Sequence, residues 1–156
     1  SAKGKEIGLA QYNQGTDIIF QAASQAGLGV VDAAKESKKF AIGVDSDQAM
    51  FFKDSNPEKA NLILTSVMKR IDNSLLRTLK LFLDGKLPFG TEESLGIKEK
   101  AVGLAENELY NKNIPEDVRK YVTDVQAKIL NDQIKVDTAF GMDNNKLNEI
   151  KNTLKP

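Results

Sequence analysis

The chain contains no histidine and no cysteine. Without histidine, a Ser-His-Asp triad, a histidine general base and a histidine-bearing zinc site are impossible within it. Without cysteine, a thiol nucleophile, a disulfide and a thiolate metal site are excluded too. Catalysis would fall to carboxylates, lysine, tyrosine, serine or threonine. These absences lower the expectation of catalysis without removing it, and no cofactor is expected. An excess of charge of one sign is also lacking, since 22 basic and 22 acidic residues give a net charge of zero. Nucleic-acid binders usually concentrate basic residues on one face. Here the lysines are interleaved with acids, so no nucleic-acid partner is expected. No apolar run approaches the roughly 18 residues of a membrane-spanning helix, and no secretory signal pattern is visible. The chain opens Ser-Ala-Lys rather than on Met, as expected of a processed or engineered product.

What is present fits a globular chain. Its 156 residues, 40% hydrophobic and 28% charged, suit one domain or part of a larger one. The informative stretch runs from Asp17 to Gln48. An apolar run, Asp-Ile-Ile-Phe-Gln-Ala, breaks into a glycine-bearing turn and a helical segment. A second apolar run then ends on Gly-Val-Asp-Ser-Asp. This predicts a strand–helix–strand unit with a parallel pair and a right-handed crossover. Open α/β sheets bind ligands just outside the carboxyl ends of their strands, so both strand ends carry candidate contacts.

Periodicity predicts further elements. A helix is expected over 2–14, with Ile7, Leu9 and Ala10 near its inner face and Gly15 at its stop. Strands are expected over 17–22, 39–45 and 61–66, and a helix over 26–37 with Val30, Val31 and Ala34 inward. Residues 46–60 read as looser chain, with a turn at Asn56-Pro57. Met68, Ile71, Leu75, Leu79 and Phe82 form one apolar stripe of a long helix over about 67–84, ended by Gly85. One or two strands are expected within 94–105. Pro115, with Glu116 and Asp117, starts a helix reaching about Asn131. The tail is polar, with a short helix suggested by Leu147, Ile150 and Leu154. The fold class is α/β, a parallel-sheet, three-layer lobe. An opening helix and few strands suggest a piece of a larger sheet.

Each candidate site residue has a structural alternative. Phe20 could stack on a planar ligand, with the Gln21 amide reaching its polar edge; Phe20 could equally be a core residue. Gly27 and Gly29 allow close backbone approach by an oxygen-rich group, or tight helix packing. They form neither a Gly-x-Gly-x-x-Gly fingerprint nor a P-loop. Asp45 and Asp47 could accept paired sugar hydroxyls or hold Mg²⁺ or Ca²⁺, though a calcium loop's other positions are absent; otherwise they cap turns. Lys69 and Arg70 open the long helix, where cations oppose the dipole; a ligand or a carboxylate partner is one reading and plain surface charge is equally the other.

Several of these segments together resemble the basic-membrane-protein family of solute-binding lipoproteins, purine nucleoside receptor A-like. The segments are Ala-Lys-Gly-Lys-Glu-Ile (2–7), Tyr-Asn-Gln-Gly-Thr-Asp-Ile-Ile-Phe-Gln-Ala-Ala (12–23), Gly-Leu-Gly-Val (27–30), Ile-Gly-Val-Asp-Ser-Asp-Gln (42–48) and Leu-Thr-Ser-Val-Met-Lys-Arg-Ile-Asp (64–72). Val-Gly-Leu-Ala (102–105) and Ile-Pro-Glu-Asp-Val (114–118) also fit. The resemblance implies an incomplete type I periplasmic-binding-protein fold, whose two lobes close on a ligand. It implies a bacterial ABC transporter component, lipid-anchored at the extracellular face of the membrane, that hands a purine nucleoside to a permease. On that pattern Phe20 flanks the base and the Gly27–Gly29 turn approaches the ribose. Asp45 accepts ribose hydroxyls, with Asp47 as the second acid, and Lys69 reaches the sugar from the other side. Two departures stand out. The turn reads Ser24-Gln25-Ala26-Gly27 where the family has a Gly-Gly-Thr-Gly-like sequence, and the family's first lobe has no counterpart here.

The resemblance also implies a partition of the chain. Residues 1–66 would be the second-lobe core, and 67–93 a helix and loop of the first lobe. Residues 94–137 would be return strands and the C-terminal helix, and 138–156 a tail. Apolar surface normally covered by the first lobe is expected to drive self-association. The competing expectations are a ligand-sensing regulatory domain of the same fold and a nucleoside hydrolase using Asp45, Asp47 and a metal.

Overall fold

The computed structural model describes residues 1–139 and 141–153. It divides into two compact units, Ser1–Arg119 and Lys120–Pro156. In the first unit the order is α1 (Ala2–Asn13), β1 (Ile18–Phe20), α2 (Ser24–Ser37), β2 (Phe40–Asp45), α3 (Gln48–Phe52), α4 (Pro57–Leu62), β3 (Ile63–Lys69), α5 (Ile71–Leu83), β4 (Val102–Leu104) and α6 (Glu108–Asn113). The four strands form one sheet in the order β1-β2-β3-β4. The first three are parallel, and β4 runs antiparallel to β3. The fold is mixed α/β with a mostly parallel sheet.

The predicted strand–helix–strand unit is present, with Ile18 to Phe20 paired to Phe40 to Ile42. Val30, Val31 and Ala34 are buried, and with Tyr12, Ile19, Ala33, Ala41, Ala49 and Ile63 they make the core. Of the predicted inner face of α1, Leu9 packs half-buried against the core, while Ile7 and Ala10 are exposed. Ile7 is 47% exposed, while Gly4, Gly8 and Tyr12 are buried. The cause is close helix packing. A Cβ at Gly8 would lie 2.9 Å from the Ala33 Cβ, and one at Gly29 would lie 2.7 Å from the Lys5 backbone nitrogen. The α1–α2 interface thus selects small residues over large apolar ones. Tyr12 completes it, burying its ring and donating its hydroxyl to the Phe40 carbonyl at 2.6 Å.

Residues 46–60 are more ordered than their composition suggested, holding α3 and α4. Asn56 caps α4 through a bond from the Lys59 amide, with Pro57 in the first turn, the usual start signals read here as a turn. The predicted long helix begins four residues later than expected. Val67, Met68 and Lys69 pair with Leu104, Gly103 and Val102, so tertiary pairing overrides the helical spacing of Met68. Helix α5 starts at Ile71 with Arg70 at its N-cap position. None of its residues is buried, and Ile71, Leu75, Leu79 and Phe82 stand on one exposed apolar face. Gly85, at φ +66, follows its end.

Helix α7 spans Glu116–Leu130. Within the second unit, Lys128 and Asp124 pair one turn apart at 2.6 Å, and α8 (Asn144–Thr153) carries Leu147 and Ile150. Leu154, also read as helical, lies outside the described residues.

Candidate functional site

Three of the candidate residues are the last residues of three neighbouring parallel strands: Phe20 of β1, Asp45 of β2 and Lys69 of β3. The strands are pinned by their ladders, so the sheet fixes the spacing of these side chains. Phe20 is 53% exposed, an aromatic face offered to solvent rather than a core residue. Lys69 Nζ lies 3.2 Å from Asp45 Oδ1, with both side chains partly open. Lys69 therefore ends a strand beside a carboxylate instead of opening a helix.

The backbone at Asp45 is unusual. Its φ is +69, and the Ser46 amide donates to the Val44 carbonyl at 2.8 Å. A two-residue bond around a centre of positive φ marks the rarer, strained form of γ-turn. Such strain costs on the order of 1–3 kcal/mol and persists only where the surroundings enforce it. Asp45, Val44 and Ser46 line a shallow groove of about 210 Å³ with Ser24, Gln25, Leu28, Gln48 and Phe51. The start of α2 thus faces the strand end. That helix has neither a side-chain cap nor an acid in its first turn. Its leading amides lack a side-chain acceptor, as suits an oxygen-rich group.

The remaining candidates are placed differently. Gly27 and Gly29 lie inside α2, not in a turn before it, because the helix already starts at Ser24. Both are buried, and neither lines the groove. A Cβ at Gly27 would lie 2.8 Å from Gln21 Nε2, and Gly29 abuts the first turn of α1. Their close approaches are to the protein itself. Asp47 is engaged by Asn107, whose Nδ2 donates to its two carboxylate oxygens at 2.9 and 2.8 Å, while Asn107 also caps α6 through Tyr110. Gln21 is 3% exposed and donates to Gln48 Oε1 at 2.8 Å, so its amide points inward rather than at a ligand. Among the described residues no cluster of three acids, histidines or cysteines could hold a metal, and Asp45 and Asp47 each face a nitrogen partner.

Sequence reasoning singled out the segment from Ser24 to Gly29 for its backbone amides but missed Phe51 and Gln48 in the groove wall. It also missed Asn107. The sequence hid the uncapped start, because Ser24 reads as a cap while the helix already begins there, after Ala23. A larger groove of about 300 Å³ lies beside α5, lined by Asn73, Leu76, Arg77, Lys80, Asp84 and Glu99 among others. Arg77 there is already held by Glu93 through two bonds of 2.8 and 2.7 Å. No helix among the described residues is long and apolar enough to cross a membrane.

Comparison with known proteins agrees with this architecture. The Listeria monocytogenes protein described as CD4+ T-cell-stimulating antigen is 36% identical over 143 residues, covering 86% of this chain and 39% of its own length. The Lactococcus lactis ABC transporter nucleoside-binding protein BmpA is 29% identical, covering 87% of this chain and 40% of its own length. The chain thus spans about two fifths of the length of these relatives. Among solved structures, an ABC transporter solute-binding protein from Aeropyrum pernix K1 superposes with a TM-score of 0.72 at 23% identity, over 98% of this chain and 48% of its own. A transcriptional activator of the comK gene from Bacillus halodurans gives a TM-score of 0.63 at 27% identity, over 79% of this chain and 40% of its own. The family pattern described as ABC transporter substrate-binding protein PnrA-like matches residues 1–139, and the chain belongs to that family, Bmp.

Proposed function

We propose that this chain supplies one wall of the ligand cleft of a nucleoside-binding, non-enzymatic ABC transporter component. The observation that carries the reading is the row of strand ends, Phe20, Asp45 and Lys69, beside the uncapped start of α2. A carboxylate accepts hydrogen bonds from neighbouring hydroxyls, an ammonium donates to the same sugar, and an exposed aromatic offers a stacking platform worth about 1–3 kcal/mol per base. A purine nucleoside has these three features in one molecule. Asp45 and Lys69 would take the ribose and Phe20 the base. Gly27 and Gly29 would act indirectly, by seating α2. Asp47, already bonded to Asn107, would shape the loop.

The same reading assigns 1–69 to one lobe, because β3 stays in its sheet as far as Lys69, and gives α5 with the loop to 93 to the other, with 94–137 returning and 138–156 as a tail. The exposed apolar face of α5 supports this, because a helix with such a stripe normally packs against something. A permease partner and a lipid anchor at the extracellular face of a bacterial membrane follow from the family role. A second reading has one specific observation in its favour, the similarity to a structure described as a transcriptional activator. In that case the fold would sense a ligand for a regulator. Attachment to a helix-turn-helix segment would favour it, and a signal peptide with a lipobox would favour transport.

Calorimetry on the intact protein with adenosine, guanosine, inosine and a free pentose tests the first reading. At least one nucleoside is expected to bind tightly, and Asp45→Asn should weaken it by roughly 100-fold, the loss of one or two charge-assisted bonds. Absence of heat with every ligand overturns nucleoside binding, and unchanged affinity in the variant overturns the role of Asp45.

A further inference from the structure

Three buried polar side chains lie directly beneath the candidate site. Gln21 is 3% exposed, Gln48 5% and Ser66 0%. They come from the end of β1, the start of α3 and the middle of β3, and they are joined. Gln21 Nε2 donates to Gln48 Oε1 at 2.8 Å, and the Ala23 amide donates to Gln21 Oε1 at 3.3 Å. The Gln48 backbone amide donates to Ser66 Oγ at 3.2 Å, and Gln48 Nε2 donates to the Val44 carbonyl at 3.0 Å.

The last bond is the informative one. The Val44 carbonyl also accepts the Ser46 amide bond that closes the γ-turn around Asp45. The Gln48 side chain therefore clamps the acceptor on which the strained turn depends. At its other end the network holds Ala23, just before Ser24, which also sits at positive φ, +48. Both loops that flank the groove are thus tied to the same pair of amides.

Space for the network is built into the backbone. A Cβ at Gly43 would lie 2.5 Å from Ser66 Oγ and 2.8 Å from Gln48 Oε1, and one at Gly27 would lie 2.8 Å from Gln21 Nε2. Polar groups buried at this depth are costly unless fully bonded. An apolar core would fill the same space without that demand. A network so placed, bonded to the turn rather than merely filling the core, has a geometric task.

We propose that Gln48 is a positioning residue: braced by Gln21 and Ser66, its side-chain amide holds Asp45 in the γ-turn that presents the carboxylate between the start of α2 and Lys69. The proposal rests on the reading of Asp45 as a ligand-binding residue. Gln48 borders the groove, but its amide oxygen and nitrogen are bonded to Gln21 and Val44, so it acts through the turn.

The test is a double-mutant cycle for nucleoside affinity on the intact protein with Gln48→Met, which keeps the side-chain length and removes both amide functions, and Asp45→Asn. If Gln48 acts through Asp45, Q48M weakens binding by about 10-fold or more, and adding it to D45N weakens binding by no more than about 2-fold further, the mark of coupled residues. In the 156-residue chain, Q48M should also move the Asp45 and Ser46 amide resonances and the Asp45 amide–Hα coupling that reports φ. A purely structural role would leave that coupling in place and let the two losses multiply. Losses that multiply, or Q48M binding like the unmodified protein while D45N fails, overturn the proposal and leave the site reading intact. D45N binding normally overturns the site reading and this proposal with it. If Q48M does not fold, Ser66→Ala, which removes only the brace on the Gln48 backbone, takes its place in the same cycle with the same outcomes.

Discussion

Replacing Gly29 by alanine separates the two roles its sequence context allows. If Gly29 only leaves room for a ligand, alanine should stabilise the chain, because glycine inside a helix is worse than alanine by about 1 kcal/mol. The structure gives the opposite sign. The new methyl would overlap the Ser1 carbonyl oxygen and lie 2.7 Å from the Lys5 nitrogen and 3.0 Å from the Ser1 nitrogen. These are backbone atoms of the first turn of α1, where the Lys5 amide donates to the Ser1 carbonyl at 3.1 Å. They cannot rotate aside as a side chain would. Overpacking of this kind costs about 1–3 kcal/mol, and displacing the turn also loosens the Ser1 cap, worth about 1 kcal/mol. Set against the propensity gain, the net loss is about 1–3 kcal/mol. For a chain of this size each kcal/mol moves the midpoint by roughly 2–4 °C, so thermal unfolding followed by circular dichroism should show Tm lower by about 3–10 °C. Gly8→Ala should be milder, since its methyl is crowded by the Ala33 Cβ at 2.9 Å while Val30 stays at ordinary contact, 3.4 Å and beyond, and Ala33→Gly should restore it. A Gly29→Ala Tm equal to or above that of the unmodified chain would refute the α1–α2 packing.

Two further outcomes are expected. Burial pushes the Tyr12 phenol from its ordinary 10.0 up to about 12, so the folded state keeps a proton that the unfolded state has lost. The stabilisation is whole below pH 10 and falls by up to about 1.4 kcal/mol per pH unit as pH rises towards 12. Tyr12→Phe, which loses the bond to Phe40, should be about 1 kcal/mol less stable at neutral pH and should lose less between pH 10 and 12. Parallel losses in the two proteins would show that Tyr12 is not the group responsible. The exposed stripe on α5 should make the 156-residue chain self-associate as its concentration rises. Sedimentation should return it to monomer in Leu75→Glu/Leu79→Glu, and a monomeric unmodified chain at high concentration would contradict the idea.

The parallel unit from Asp17 to Asp45 was legible because its signals agree. Apolar strand runs, a helical segment of the right length and polar residues at both strand ends all point one way. The face of α1 was only partly legible. Its buried residues are Gly4, Gly8 and Tyr12, and a stripe of large apolar residues is the wrong signal where two helix backbones nearly touch. The start of α5 was misplaced because Met68 fits a helical stripe, while the partner strand that claims it lies more than thirty residues further on. Phe20 and Asp45 were placed at strand ends because their strands were read from apolar runs, whereas Lys69, read as opening a helix, ends β3 instead. Gln48 escaped because nothing local distinguishes a buried amide from an exposed one, and Asn107 because its partner Asp47 lies sixty residues away. Only the glycines opposite, Gly27 and Gly43, hint that a side chain needs their space.

The register of the strands also gives the candidate site its shape. Phe20 pairs with Ile42, so β2 runs three residues beyond β1 before ending at Asp45. At about 3.3 Å per residue, Asp45 stands roughly 10 Å above the level of Phe20. Asp45 pairs with Met68, so Lys69 lies only one residue past that level. The sheet edge is a step, with an exposed aromatic on the lower tread and an opposite-charge pair on the upper one. The start of α2 stands beside the riser. A ligand that satisfies both treads must join a flat apolar group to a hydroxyl-rich one across several ångströms, as a nucleoside does. A free sugar could use the upper tread alone, and a free base the lower alone. On this geometry, binding of the whole molecule should exceed that of either part by more than either contact supplies, because one molecule loses its translational freedom once where two fragments lose it twice.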